Sequence, residues 1–327
     1  MKVLTLLEAV TDAMRVEMAG DSSVVVFGED VGLEGGVFRA TAGLQRDFGE
    51  TRCFDTPISE SGIVGAALGM AVAGLRPVVE IQFSGFAFPA FNQIASHVAR
   101  IRNRTRGALS APMVIRMPYG GGIRAPEHHS ESLEATFGHI PGLKVVIPST
   151  PHDAKGLLIA AIRDPDPVVF LEPARAYRAV RQEVPEDAYT VEIGKARVEA
   201  EGTDLTLVSY GAQMIEARQA RAVLASEGHA VELIDLRTIY PWDVATVVES
   251  VRKTGRLLAV HEGPQAFGVA SELVAAVMEK AFEHLEAPPV RLAGPNTIYP
   301  MPRGEKHYLL TVEHVLAEAR RVLSYEP

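Results

Sequence analysis

The chain has 327 residues, enough for about two domains with sizeable cores and no covalent staples. Hydrophobic residues make up 47% and charged residues 22%, which excludes disorder and fibrous repeats. A formal charge of -9 argues against a phosphate-backbone binder, so no nucleic acid is expected as partner. The single cysteine, Cys53, excludes a disulfide framework and a thiolate zinc site.

The N-terminus lacks the layout of a signal peptide, and no apolar run reaches about 18 residues. No membrane segment is expected, and a reducing, cytoplasmic location is. Short Val/Ile/Phe-rich runs at 23–27, 52–56, 78–82, 113–117, 144–147 and 168–171 predict strands covered on both faces, hence parallel ones. The stretches between them read as helices, which predicts an α/β layered domain. One helix start is sharply marked. Thr150-Pro151-His152-Asp153 supplies a hydroxyl cap, a proline at the first position and an acid in the first turn, and Asp164-Pro165-Asp166-Pro167 ends the helix. From about 173 to 201 the chain turns polar and acidic and loses periodicity, which reads as a crossing between domains. Alternation then resumes with strands at 205–210, 230–235, 257–261 and 290–292. The helices between them end with an amphipathic one at 312–323.

Gly120-Gly121-Gly122-Ile123-Arg124-Ala125 fits G-x-G-x-x-G/A, but Pro126 follows where a dinucleotide fold needs a helix, so a loop is expected instead. There is no P-loop motif and no G-x-S-x-G elbow. In Asp55-Thr56-Pro57-Ile58-Ser59-Glu60-Ser61, Glu60 falls at the carboxyl edge of a strand and the start of a helix. Open α/β sheets bind ligands at that edge, and the helix dipole favours a carboxylate there. A plain capping role stays open beside a functional one. The helix carries Gly62, Gly65, Gly69 and Ala73 on one face, which demands close packing against its own sheet or a partner helix. Phe83, Phe86, Phe88 and Phe91 follow a strand end, as core or as pocket wall. Arg100, Arg102, Arg104 and Arg106 complement a helix end or face an acidic partner. His128-His129 lacks a metal-ligand pattern. A loop histidine there is a candidate acid or base, or simply exposed.

The motifs taken in order are Gly28-Glu29-Asp30, Asp55 to Glu60, Gly74-Leu75-Arg76-Pro77, Glu80-Ile81-Gln82-Phe83, His129-Ser130, Pro141 to Val146 and Ile234 to Ile239. Together they resemble, over nearly the whole chain, the β subunit of the thiamine-diphosphate-dependent E1 component of 2-oxo acid dehydrogenase complexes. Phe170-Leu171-Glu172-Pro173, Tyr177-Arg178, Tyr240-Pro241-Trp242-Asp243 and Lys253-Thr254-Gly255-Arg256 resemble the branched-chain (2-oxoisovalerate) type, with pyruvate and acetoin dehydrogenase β subunits as near neighbours.

The resemblance implies a transketolase-like fold. Its pyrimidine-binding domain would span 1–185, a linker 186–200 and a transketolase C-terminal domain 201–327. The family's α subunit carries a Gly-Asp-Gly segment that holds magnesium and the diphosphate. This chain lacks Gly-Asp-Gly, so the likeness implies half a cofactor site, completed by an E1 α subunit in an α2β2 heterotetramer. It further implies that Glu60 hydrogen-bonds N1′ of the aminopyrimidine. Glu29, Ile58, Ser59, Gln82 and Phe86 would line the cofactor, with Phe86 packing on the pyrimidine ring. His129, with Phe83 and Phe86, would meet the 2-oxo acid and assist acyl transfer to the lipoyl-lysine of an E2 acyltransferase. Ala161, Ile162 and Asp164 match a structural potassium site of some relatives. Two other readings compete: a non-catalytic module that docks E2, and a hydride-transferring dehydrogenase using the Gly120 loop.

Overall fold

The computed structural model describes residues 1–326. The chain begins with β1 (Lys2–Thr5), α1 (Leu6–Gly20), β2 (Val24–Gly28), α2 (Leu44–Phe48), β3 (Cys53–Asp55), α3 (Glu60–Val72) and β4 (Arg76–Glu80). After a 3-10 turn (Ser84–Ala90) and a π-helical turn (Gln93–Val98) come α4 (Ile101–Arg104), β5 (Val114–Tyr119), α5 (Glu134–Gly138), β6 (Lys144–Val146), α6 (Pro151–Arg163) and β7 (Val168–Pro173). Next are β8 (Arg181–Val184), β9 (Arg197–Ala200), β10 (Leu205–Ser209), α7 (Met214–Ser226), β11 (Val231–Asp235) and β12 (Thr238–Tyr240). The last elements are α8 (Val244–Thr254), β13 (Leu257–Pro264), α9 (Val269–Ala281), β14 (Val290–Gly294) and α10 (Val312–Leu323).

A seven-stranded sheet runs β12-β6-β7-β5-β4-β2-β3, parallel except for β12. Its strands β2, β5 and β7 are buried on both faces, as continuous Val/Ile runs require. One face is covered by α1 and α6 through Leu6, Val10, Met14, Leu157 and Leu158, and the other by α3 and the turns that follow β4. Thr150 Oγ1 accepts the Asp153 N–H at 3.2 Å and opens α6 at Pro151 as its sequence requires.

The second sheet has the order β14-β13-β10-β11-β9, with β9 as its antiparallel edge. Val208, Ile234 and Val247 belong to the same continuous core as Phe137, Leu143 and Ile147, so the two sheets share buried apolar surface.

Three features depart from the sequence expectations. The stretch expected to be an irregular crossing contains β8, which pairs antiparallel with β1, and β9. Thr238–Tyr240, deep in the C-terminal half, crosses back to pair with β6 of the first sheet. The single helix expected to end in Arg100, Arg102, Arg104 and Arg106 is instead a 3-10 turn, a π turn and a short α-helix.

Candidate active site

The site is built at the carboxyl ends of β2, β3 and β4. Ser59 caps α3 by accepting the Gly62 N–H at 3.3 Å, which makes Glu60 the first helical residue. The unpaired N–H groups of that turn favour a negative charge beside them. Glu60 is half-buried, whereas Ile58 just before it is 84% exposed.

Glu29 leaves the end of β2 and is buried. Burial pushes its carboxyl up, the nearby charges of Glu60 and Asp30 push it further, and the Ser59 backbone N–H opposes them. Its Oε1 is buried without a hydrogen-bond partner. The loop that carries it is fixed by Asp55, whose carboxylate accepts the N–H groups of Gly32 (2.6 Å) and Leu33 (3.2 Å). Gln82, just past β4, donates to Asp30 Oδ2 at 3.0 Å.

The next residues along the chain begin an aromatic cluster. The Phe83 and Phe86 rings lie 5.5 Å apart, edge to face, and both meet the His129 ring edge-on, at 4.5 and 5.1 Å. These contacts hold the imidazole while its Nδ1 is left buried and unpartnered. Of the four phenylalanines, Phe83 is core and Phe88 is exposed.

The structure thus brings Glu29, Ser59, Glu60 and Gln82 to one sheet edge, and Phe83, Phe86 and His129 into contact beside it. Ala161, Ile162 and Asp164 lie elsewhere, where α6 ends. The Ile162 carbonyl accepts from Arg76 Nη1 at 2.8 Å, the Ala161 carbonyl accepts the Asp164 N–H at 3.3 Å, and Lys144 Nζ pairs with Asp164 Oδ2 at 2.6 Å.

A buried ion network under the edge is absent from the sequence expectations. Arg116 on β5 is fully buried and makes a two-pronged bond to Glu172 (2.7 and 3.0 Å) and a third to Glu80 (3.0 Å). Tyr177 donates to Glu172 at 2.5 Å. Its signal in the sequence is a charge inside an otherwise apolar strand: VVE, VIRMP, VVFLEP. This network also bears on the branched-chain resemblance. Of the residues that carry it, Glu172 and Tyr177 are scaffold, Tyr240 ends the edge strand β12, and Lys253 pairs with Glu201 and Glu232. Tyr177 also reaches the aromatic cluster through Phe38, whose ring lies 5.1 Å from Tyr177 and 5.5 Å from Phe83.

The face of α3 bearing Gly62, Gly65, Gly69 and Ala73 is exposed. A Cβ at Gly69 would meet nothing within 4 Å, so the chain's own sheet does not pack there.

The site residues fit a bound aminopyrimidine. A buried, orphaned carboxylate oxygen of Glu29, a helix-edge carboxyl at Glu60 and an uncovered Ile58 offer hydrogen-bonding and apolar surface to one polar ring.

Residues 2–180 match the family described as "Transketolase, pyrimidine binding domain", and residues 194–315 match "Transketolase, C-terminal domain". A solved structure described as "Split gene transketolase, inactive beta4 tetramer" superposes with a TM-score of 0.79 at 23% identity, over 99% of this chain and 100% of that one. The architecture is transketolase-like. The pyruvate dehydrogenase E1 component subunit beta of Acholeplasma laidlawii is 56% identical over 327 residues, all of both chains. That of Bacillus subtilis (strain 168) is 50% identical over 325 residues, 99% of this chain and 100% of the other. The chain belongs to the E1 β-subunit family of 2-oxo acid dehydrogenase complexes, a family associated with thiamine diphosphate.

Proposed function

We propose that this chain is the β half of an E1 enzyme that decarboxylates pyruvate and passes the acyl group to a lipoyl-bearing E2. An E1 α subunit in an α2β2 assembly would supply magnesium and hold the diphosphate. The observation that carries the reading is Glu60 at the first position of α3, beside the orphaned Glu29 and the exposed Ile58. Pyruvate takes precedence over the branched-chain acid because the full-length relatives at 56% and 50% identity bear the pyruvate name. The division into 1–185, a linker 186–200 and 201–327 belongs to the same proposal, supported by the two family matches.

When bound, thiamine diphosphate supplies the electron sink for cleavage of the bond between the carboxyl and carbonyl carbons. Glu60 would hold a proton shared with N1′ of the aminopyrimidine, and the helix N-terminus keeps its carboxyl in place. Glu29, Ile58, Ser59, Gln82 and Phe86 would enclose the ring. The apolar wall of Phe83 and Phe86 lowers the local dielectric and strengthens those polar contacts. His129, held edge-on by the two rings, would give or accept the proton at the substrate oxygen.

The test is co-expression with the α partner, followed by decarboxylation assays on pyruvate and 2-oxoisovalerate and a carbon–carbon cleavage assay on acetoin, which has no carboxyl group to lose. Turnover of pyruvate by the wild type and its loss in Glu60→Ala, with the assembly intact, is expected. Activity of Glu60→Ala within a few-fold of wild type would refute the role. A preference for 2-oxoisovalerate would restore the branched-chain reading.

A further inference from the structure

His129 sits on a loop that leaves β5 at Tyr119, and what holds this loop comes from the other half of the molecule. Gly120 and Gly122 both have φ +83°, a left-handed conformation in which neighbouring N–H groups converge on one concave side. Such a hollow binds oxyanions, and here two carboxylates of the C-terminal half fill it. The Gly121 N–H donates to Glu262 Oε1. The N–H groups of Gly122 and Arg124 donate to Glu305 Oε1 at 2.8 and 3.2 Å. The Tyr299 hydroxyl donates to the same oxygen at 2.9 Å and accepts from the Gly122 N–H at 3.2 Å.

Glu262 and Glu305 are both buried. Gly121 has no spare room, since a Cβ there would stand 1.8 Å from Tyr299 Oη. The far end of the loop is tied to the first half. The Glu131 carbonyl accepts the Gly120 N–H at 3.1 Å and the Ser84 hydroxyl at 2.7 Å. His129 therefore lies on a segment pinned at one end by the C-terminal half and at the other beside the aromatic cluster.

From this geometry we infer that Glu305 and Glu262, with Tyr299, are positioning residues for His129, acting through the amides of Gly121, Gly122 and Arg124. The inference rests on the role given to His129 under the proposed function. It also assigns the triple glycine to an internal clasp and not to a nucleotide phosphate.

The experiment uses the assembled α–β enzyme and the variants Glu305→Ala, Glu305→Gln, His129→Ala and the double Glu305→Ala/His129→Ala. Three readouts are taken: hydrogen exchange of residues 120–130, thiamine diphosphate affinity, and kcat and KM for pyruvate. Glu305→Ala is expected to speed amide exchange at 121–124 at least tenfold. It should lower kcat/KM by about tenfold or more, since a displacement of about 1 Å can cost 100-fold, while cofactor affinity stays within about twofold. Glu305→Gln retains an accepting oxygen and should recover most of the loss. In the His129→Ala background, Glu305→Ala should add no further loss, because both act through one group. Unchanged exchange in Glu305→Ala, or full additivity with His129→Ala, would overturn the inference. If Glu305→Ala fails to assemble, Tyr299→Phe removes one hydroxyl and should move the same readouts in the same order, less far; no movement overturns it. A wild-type assembly that turns over no 2-oxo acid would overturn the proposed function and the catalytic half of the inference, whereas the exchange comparison still decides the clasp.

Discussion

Replacing Arg116 by methionine would remove the cation that lies between two buried carboxylates. Three hydrogen bonds, of 2.7, 3.0 and 3.0 Å, would be lost, and Glu80 and Glu172 would remain inside the sheet with no guanidinium. In the intact protein burial already pushes Glu80 up, while Arg116 pulls it down and Glu172 repels it. Breaking a fully buried pair in this way costs about 3–5 kcal/mol. The loss should depend on pH with a definite sign. Glu80, already raised by burial and then deprived of Arg116, has a folded-state pKa above its unfolded value of about 4.3, so the folded state keeps a proton that the unfolded chain releases. Stability of the variant should then fall as pH rises above that value, by up to about 1.4 kcal/mol per pH unit for each proton retained. Urea unfolding of the assembled enzyme at fixed protein concentration, at pH 6 and pH 8, measures both quantities. A destabilisation below about 1 kcal/mol that is equal at the two pH values would refute the reasoning. Adding Glu80→Gln and Glu172→Gln to Arg116→Met should abolish the pH dependence and recover part of the loss.

The clasp makes a second prediction: Gly121→Ala must drive the Tyr299 ring back by about 2 Å to reach ordinary contact, which breaks its bonds to Glu305 and Gly122. A loss of about 2–3 kcal/mol is expected, read by thermal unfolding, together with a lower kcat/KM. Glu134 is pushed up to about 7 by burial, opposed by its own backbone amide and by the Tyr210 hydroxyl, which donates to it at 3.0 Å. Its folded pKa is above the unfolded value, so it favours folding at low pH and that contribution is lost as pH rises from about 4.5 to 7. Glu134→Gln should flatten the stability profile across that window, and an unchanged slope counts against the shift. Thr150→Ala removes the cap of α6 and should cost about 1 kcal/mol in urea unfolding while pyruvate turnover stays at the wild-type rate.

How much could be read from the residues depends on how local each signal is. The six strand runs of the first half emerge within a few residues of their expected bounds because strands covered on both faces are mostly apolar along their length. The start of α6 is legible because Thr150, Pro151 and Asp153 each satisfy a backbone requirement of one turn. The short edge strands β8, β9 and β12 are not legible. Each has three or four residues, β8 and β9 are polar, and their partners lie far away in the chain, Lys2–Thr5 for β8 and Lys144–Val146 for β12. In the site, Glu60 and Ser59 are visible as a strand end followed by a cap. The contact of His129 with Phe83 and Phe86 depends on a long loop folding back, and no periodicity encodes it. Glu262 and Glu305 are invisible for a related reason: they act on amides some 140 and 180 positions away.

The return of Thr238–Tyr240 to the first sheet limits how this molecule can be divided. A gene cut after residue 200 would leave one fragment with a bare sheet margin at Lys144–Val146 and the other with a stray ribbon lacking its mate. An open margin of this kind invites another chain to pair with it. Fragments prepared to study the halves separately would therefore tend to reassociate or clump, and interdomain hinging is restrained by main-chain bonds as well as by side chains.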